Sequence, residues 1–232
     1  MPNVSRWILY PVFFVVGILS IAAAMVAVVL TLTYPNLPSL EILTDYRPKI
    51  PLRVFTADGH LIGEFGEERR AVVRIQDVPN VMKQAILAAE DERFYQHGGI
   101  DALGVLRAAV SNVIGGGKKQ GASTITQQVA KNFFLSSEKT YARKIYEALL
   151  SFKIEANLNK DQILELYINQ IYLGQRAYGF GAAAQIYYGK QLKDITPAEA
   201  AMLAGLPKAP SAFNPVVNPK RASLRQQYVL RR

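Results

Sequence analysis

Glu90 and Asp91 open the stretch EDERFYQHGG at residues 90–99, where two carboxylates stand beside aromatic and histidine side chains. The residues from 77 onward predict a helix: Asp77 is a candidate cap, Pro79 is tolerated in a first turn, and Val81, Ala85, Ile86 and Ala89 recur at helical spacing. Ile86, Glu90 and Phe94 follow at i, i+4 and i+8, which puts Glu90 on the side of that helix carrying apolar residues. A carboxylate there loses hydration, so its pKa rises and it becomes a proton acceptor or donor near neutral pH. Asp91 lies about 100° further round and need not share that work. The same pair can also be a surface Glu-Asp solvating a helix end, and the pattern by itself leaves both readings open. His97-Gly98-Gly99 is expected to stop the helix, and Asp101 to cap the next one.

A second group of chemically useful residues follows. Gly115-Gly116-Gly117, Lys118, Lys119, Gln120 and Gly121 lead into ASTITQQVAKNFFL, where Ser123 or Thr124 can cap a helix running towards Phe134. A glycine-rich, lysine-bearing loop entering a helix N-terminus suits a phosphate: free N–H groups, the positive dipole end and mobile ammonium groups converge there. It is not a Walker A loop, because Ala122 stands where lysine is required and no strand precedes it. A flexible basic loop is the alternative. Within the helix Gln127, Lys131 and Phe134 share a face, with Gln128 and Asn132 beside them, a set able to hold hydroxyls and phosphate oxygens or to be an ordinary wet face. Phe133-Phe134-Leu135 suits either core burial or a lipid interface. Arg143, Lys144 and Glu147 sit near the middle of a further helix at 138–158; as a default, the Arg143–Glu147 spacing is a surface ion pair worth a few tenths of a kcal/mol.

The elements that must position these groups are mostly helical. Asn159 caps KDQILELYINQIYLG with Gln162 in the reach-back position of a capping box, and Asp161, Glu165 and Asn169 align opposite Ile163, Leu166 and Ile168, a pattern of structural support. Thr196-Pro197-Ala198-Glu199 opens a short apolar helix with its own capping box. LPKAPSAFNP is a proline-rich loop, and the last stretch is a basic helix whose missing cap suggests a chain truncated there. Before all this, PLRVFTADGHLIGEFGEE reads as a β-hairpin turning at Asp58-Gly59, with His60 solvent-facing. Ile8 to Leu32 is an uncharged apolar run of 25 residues, long enough to cross a bilayer as a helix. A cleaved signal peptide is the competing reading, but the run exceeds the usual apolar region of roughly 7 to 15 residues. The expected organisation is a cytoplasmic N-terminus at 1–7, a transmembrane helix at 8–32, a linker at 33–51 and a catalytic domain at 52–232. Arg6 on the N-terminal side supports that orientation.

Composition sets bounds. A chain of 232 residues, 50% hydrophobic, buries a real core, and the absence of cysteine excludes disulfide scaffolds and thiolate metal sites. Two histidines are too few for a His-rich metal centre. The net charge of +9 points to an anionic partner, whether nucleic acid, an anionic membrane surface or a phosphorylated substrate.

No one of these motifs decides the function; their order does. EDERFYQHGG (90–99), GASTITQQVAKN (121–132), RKIYE (143–147) and KDQILELYIN (160–169) resemble the successive signature motifs of the peptidoglycan glycosyltransferases, carbohydrate-active family fifty-one, and AGLPKAPSAFNP (204–215) looks like that family's fifth region. The resemblance runs over residues 52 to 232 almost continuously, with small departures such as Ile168 and Ile125. The apolar N-terminal run and the hairpin look more like the bifunctional class A penicillin-binding proteins of the 1A type than the shorter monofunctional enzymes. In that class a transpeptidase domain follows. Nothing here is read as its Ser-x-x-Lys nucleophile motif, so the chain is expected to lack that activity.

The resemblance implies a mainly α, lysozyme-like fold with a small jaw lobe at the membrane, and a processive polymerase that joins lipid II into β-1,4 glycan strands with inversion and release of undecaprenyl diphosphate. It implies Glu90 as catalytic base, Glu147 as a second catalytic carboxylate near the diphosphate, and Asp91 orienting the Glu90 region. Ser123, Thr124, Gln127, Gln128, Lys131, Asn132, Arg143 and Lys144 would bind substrate, and Phe94 and His97 would shape the cleft. It leaves room for a divalent cation, magnesium or manganese, at Glu147 and implies no organic cofactor. The implied partners are lipid II, the growing lipid-linked strand, the membrane and other cell-wall synthesis proteins. The implied location is the bacterial inner membrane, with the catalytic domain on its periplasmic side. A lysozyme-like hydrolase and a non-catalytic cell-wall binder are the rival classes. A nucleic-acid binder, suggested only by charge, fits poorly beside an extracytoplasmic anchor.

Overall fold

The computed structural model describes residues 3–46, 51–114, 123–135 and 140–232. It divides into two compact units, Met1–Ser39 and Leu40–Arg232. The first is the helix α1 (Asn3–Thr33) followed by a single 3₁₀ turn at Tyr34–Asn36. Its described side chains from Leu9 to Leu32 include many large exposed apolar groups, Phe13, Phe14, Leu19 and Ile21 among them. Among the described residues, which leave out the side chains of Val26, Val29 and Leu30, no helix is long and apolar enough to cross a membrane.

The second unit is mainly helical. After the short helix α2 (Glu41–Thr44), β1 (Leu52–Phe55) and β2 (Leu61–Phe65) pair antiparallel as the hairpin read from the sequence. Gly59 turns it at φ +88°, a conformation that glycine adopts without a Cβ clash, and His60 is exposed. The strand β3 (Arg69–Arg70) pairs parallel with β4 (Ala177–Tyr178). Between and after them run α3 (Asn80–Glu90), α4 (Ala102–Ile114), α5 (Ile125–Phe134), α6 (Tyr141–Asn157) and α7 (Lys160–Gln170). Then come α8 (Phe180–Tyr188), α9 (Pro197–Gly205) and α10 (Pro219–Leu230).

Local chemistry explains the starts of these helices. Thr124 with Gln127, Asn159 with Gln162, and Thr196 with Glu199 each complete a reciprocal capping box, and Asp101 Oδ1 accepts from Gly104 N at 2.9 Å at the head of α4. Packing does the rest. α9 lies between α3 and α10, while α5 packs against α6 and α7. Met82, Ile86, Phe94, Ile125, Leu150, Ile154, Leu164, Tyr167, Ile168 and Phe180 are fully buried in the core that results. Each such side chain contributes about 1.5–3 kcal/mol by leaving water.

A buried cation ties the chain ahead of α3 to this core. The Arg70 guanidinium lies 4.7 Å from the Tyr178 ring centroid and donates to Glu68 (2.7 Å), the Tyr46 hydroxyl (3.0 Å) and the Asn169 carbonyl (3.1 Å). The Asn169 side chain in turn bonds both Val73 N (2.9 Å) and Val73 O (2.8 Å), and Glu165 accepts from Ile75 N at 2.6 Å. The polar stripe of α7 is thus structural support, as its spacing suggests.

The helix that carries Glu90 departs from expectation. α3 starts at Asn80 after Pro79, so Asp77 closes a 3₁₀ turn instead of capping it. It ends at Glu90, not at His97, and Asp91 leaves the helical conformation at φ −158°. Phe94 therefore sits in a separate 3₁₀ turn and does not continue the Ile86–Glu90 row. The reason is tertiary: Asp91 is drawn out to bond a different helix.

Candidate active site

Glu90 is the last residue of α3, half-buried at the wall of a cleft of about 390 Å³. Its Oε2 accepts one side-chain hydrogen bond, from Gln128 Nε2 on α5 at 2.9 Å. Burial pushes its carboxyl above the ordinary value of 4.5, opposed by the Gln128 hydrogen bond and the charges of Arg225 and Lys208, with Asp91 adding to the rise. The Tyr167 hydroxyl on α7 is fully buried, has no hydrogen-bond partner among the described residues, and is itself pushed up by burial and by Glu90's charge.

Asp91 is buried and holds two partners. Its Oδ2 accepts from Ile125 N, at the first turn of α5, at 3.0 Å, and its Oδ1 lies 2.9 Å from His97 Nε2. It fixes the end of α3 against the head of α5, which sets Glu90 opposite Gln128. His97 extends the brace: its carbonyl accepts from Lys160 Nζ at 2.6 Å, and Lys160 also lies 4.4 Å from the Phe94 ring centroid. Gly99, at φ +72°, turns its carbonyl to the Thr124 hydroxyl at 2.5 Å, and a Cβ there would crowd the Ser151 backbone at 3.2 Å.

The opposite wall is cationic. Lys144 Nζ bonds Ser123 Oγ at 2.9 Å and also Glu147, while Arg143 donates to Glu147 Oε2 at 2.8 Å. Glu147 is only 3% exposed, so this is a three-member cluster about a buried carboxylate, with Lys144 reaching it from the exposed side, and not the surface pair that its spacing alone suggests. Lys131 lines the same cleft from α5. Of its lining side chains seven are basic and five acidic, and among the described residues Arg107, Lys131 and Lys208 have no carboxylate partner. The surplus favours a ligand with several negative charges.

Most residues singled out from the sequence meet here: Glu90, Asp91, Ser123, Thr124, Gln128, Lys131, Arg143, Lys144 and Glu147 all line the cleft. Gln127 does not; it is buried and spent on the capping box. Phe94 is core, His97 acts through Asp91, and Asn132 lies outside the lining. The Gly-Lys loop at 115–121 lies outside the described residues.

The sequence reading passed over Arg107, Lys208, Arg225, Tyr228 and Arg232, which line the cleft as well. Arg225 and Tyr228 share a face of the terminal helix at i, i+3, a signal that was present but read as plain basicity. A literal Ser-x-x-Lys also occurs, at 136–139. It lies outside the described residues, and a four-residue spelling by itself assigns no chemistry.

A resident metal does not fit the groups present. Both Glu147 oxygens are bonded to cations, and among the described residues no three histidines or carboxylates gather to hold an ion.

The family model described as Transglycosylase matches residues 58–232. Penicillin-binding protein 1A of Neisseria lactamica is 62% identical over 216 residues, 93% of this chain and 27% of that protein. Penicillin-binding protein 1A of Pseudomonas aeruginosa is 53% identical over 198 residues, 85% of this chain and 24% of that protein. The crystal structure of Penicillin-Binding Protein 1A from Haemophilus influenzae aligns at TM-score 0.43 with 32% identity, over 80% of this chain and 18% of that one. The chain thus spans about a quarter of the length of the curated relatives it matches. With the matched residues enclosing every wall of the cleft, the chain belongs to the transglycosylase family.

Proposed function

We propose that this chain is a peptidoglycan glycosyltransferase that polymerises lipid II processively into β-1,4 glycan strands and releases undecaprenyl diphosphate. The observation that carries the reading is the inequality of the cleft. One carboxylate, Glu90, is held by a single amide with its pKa raised, and it faces a wall of basic side chains. A sugar hydroxyl attacking as acceptor gives its proton to Glu90, which must be ionised to take it. The donor leaves as a diphosphate, whose charge needs neutralising more than its oxygen needs an acid. Lys131, Arg143 and Lys144 supply that charge. Glu147 holds the last two in place. Attack on the face opposite the leaving group inverts the sugar carbon. No step is assigned to a metal.

A glycosidase normally sets two carboxylates about the scissile bond, one of them a free acid. Here the other carboxylates of the cleft are engaged: Glu147 with Arg143 and Lys144, Asp101 with Arg93, Glu92 with Arg232 and Asp91 with His97, which supports transfer from a diphosphate over hydrolysis of finished glycan. The helical unit around the cleft is in keeping with a lysozyme-like fold. The uncharged apolar run at 8–32, helical in α1, supports a single-pass anchor that keeps the cleft beside its lipid-linked substrate on the extracytoplasmic side. Other cell-wall synthesis proteins are the expected partners, and no nucleic acid.

The test is incubation of the purified, detergent-solubilised chain with the lipid-linked disaccharide–peptide precursor, alongside Glu90→Gln. Long glycan strands from the first and none from the second are expected. Shortening of preformed glycan without polymer would establish a hydrolase instead, and loss of both activities with retained glycan affinity would establish a binding module.

A further inference from the structure

We propose that Arg225 on α10 is a positioning residue for Glu90, its guanidinium holding the carbonyl end of α3 and setting a fixed positive charge beside the carboxylate. The inference rests on Glu90 acting as the base. It makes the terminal helix part of the reacting machinery and not a basic tail.

The geometry is specific. Arg225 Nη2 donates to the carbonyl of Ala89, the residue before Glu90, at 3.4 Å. Its guanidinium lies 4.6 Å from the Tyr228 ring centroid one turn along the same helix, so the charged plane is braced by stacking. On the other side Gly205 of α9 leaves the room for the stem: a Cβ at that position would lie 2.8 Å from Arg225 Cγ. Arg225 is only 9% exposed, yet among the described residues no carboxylate forms an ion pair with it, and its Nε has no hydrogen-bond partner. A charge buried without an ion-pair partner is costly unless the surrounding field repays it. The field available is the negative end of the α3 dipole and Glu90 itself.

Other charged and titratable groups face Glu90 from each packed element: Lys208 from the loop after α9, Asp91 from the next residue, and the Tyr167 hydroxyl from α7. Lys208 is exposed, so water and salt screen it. Asp91 opposes ionisation of Glu90. Arg225 is the buried, braced cation of the set, and its charge opposes the rise that burial imposes on the Glu90 carboxyl. The Gln128 hydrogen bond aims the carboxylate and favours its ionised form, and Arg225 adds a fixed charge acting in the same sense.

The test compares Arg225→Met, which keeps the stem, with Arg225→Lys, which keeps the charge. It follows kcat and KM across pH on the lipid-linked precursor, together with a ¹³C NMR titration of the Glu90 carboxyl assigned by difference from Glu90→Gln. Arg225→Met is expected to lower kcat at neutral pH tenfold or more with KM within threefold. The acid limb of the profile and the Glu90 titration should both move to higher pH, and Arg225→Lys should recover most of the loss. A reduced rate with an unmoved limb and titration would overturn the proposal in favour of simple packing, and a rise in KM alone would make Arg225 a substrate contact. Should Arg225→Met fail to fold, Tyr228→Leu removes the brace and should shift the limb the same way by a smaller step; an unmoved limb there overturns the proposal equally. If the wild-type chain makes no polymer, the polymerase reading fails, while the NMR titration still decides whether Arg225 governs Glu90.

Discussion

Glu147 has each carboxylate oxygen bonded to a cation, Arg143 at 2.8 Å and Lys144, and is almost completely buried among them. Glu90, across the same cleft, is half-buried and receives one amide, from Gln128 at 2.9 Å. Both are glutamates on helices and both lost water on folding, yet Glu147 is matched by cations while Glu90 is held by one neutral amide. A carboxylate whose lone pairs are taken by two cations orients those cations; one that is desolvated and sparsely bonded is ready to accept a proton. On the proposed function, the contrast is in keeping with positioning by the α6 wall and proton transfer at the α3 wall.

Removing the sparsely bonded carboxylate should do the most damage to chemistry and the least to folding. Glu90→Gln is expected to lower the polymerisation rate by about 10²–10⁴-fold, the range for loss of a general base. Its stability should vary with pH in a defined sense. Because the Glu90 pKa is raised on folding, the folded protein holds that proton more tightly, and stability is lost as pH rises from about 4.5 through the folded value. The glutamine variant lacks this penalty, so its Tm relative to wild type should increase over that window. A Tm difference flat with pH would remove burial as the source of Glu90's basicity.

Glu147→Gln should sharpen the contrast from the other side. It leaves Arg143 and Lys144 without their counter-charge, so stability should fall by about 1–3 kcal/mol as well as activity. A double-mutant cycle with Arg143→Met, read by denaturant unfolding, should give a coupling of about 0.5–3 kcal/mol. No coupling would mean that the cluster is not a unit. Lys131→Ala, on the cleft but unpaired among the described residues, should raise KM for the donor several-fold and change stability by less than about 0.5 kcal/mol. A lowered Tm with unchanged KM would make it structural. Far from the cleft, Asn159→Ala should cost about 1 kcal/mol through loss of the α7 cap and leave KM untouched.

The parts of the molecule governed by short-range rules were legible in the sequence. The capping boxes at Asn159 and Thr196, the Thr124 and Asp101 caps and the hairpin at Asp58-Gly59 all depend on residues within a few positions of one another, and all are present. The ordered motifs placed nine of the thirteen singled-out site residues on one cleft wall or another. The errors have two different causes, one long-range and one local. Helical spacing predicts an α3 that runs on to His97, but Asp91 breaks from it to bond Ile125 N, 34 residues ahead, and His97. The face of Gln127 predicts a place in the cleft, whereas its amide is consumed at the head of its own helix.

Residue types, helix starts and the supply of one basic glutamate amid many cations were thus written in the sequence, because propensity, capping and motif order act locally. That Glu147 would be paired was legible, since Arg143 and Lys144 lie one turn away on its own helix; that it would be buried, and that Glu90 would be left to a single amide, was decided by tertiary structure. Desolvation and charge pairing depend on what packs against a group from distant segments: Gln128 and Arg225 against Glu90, and the burial of Glu147 between its own helix's cations and the core.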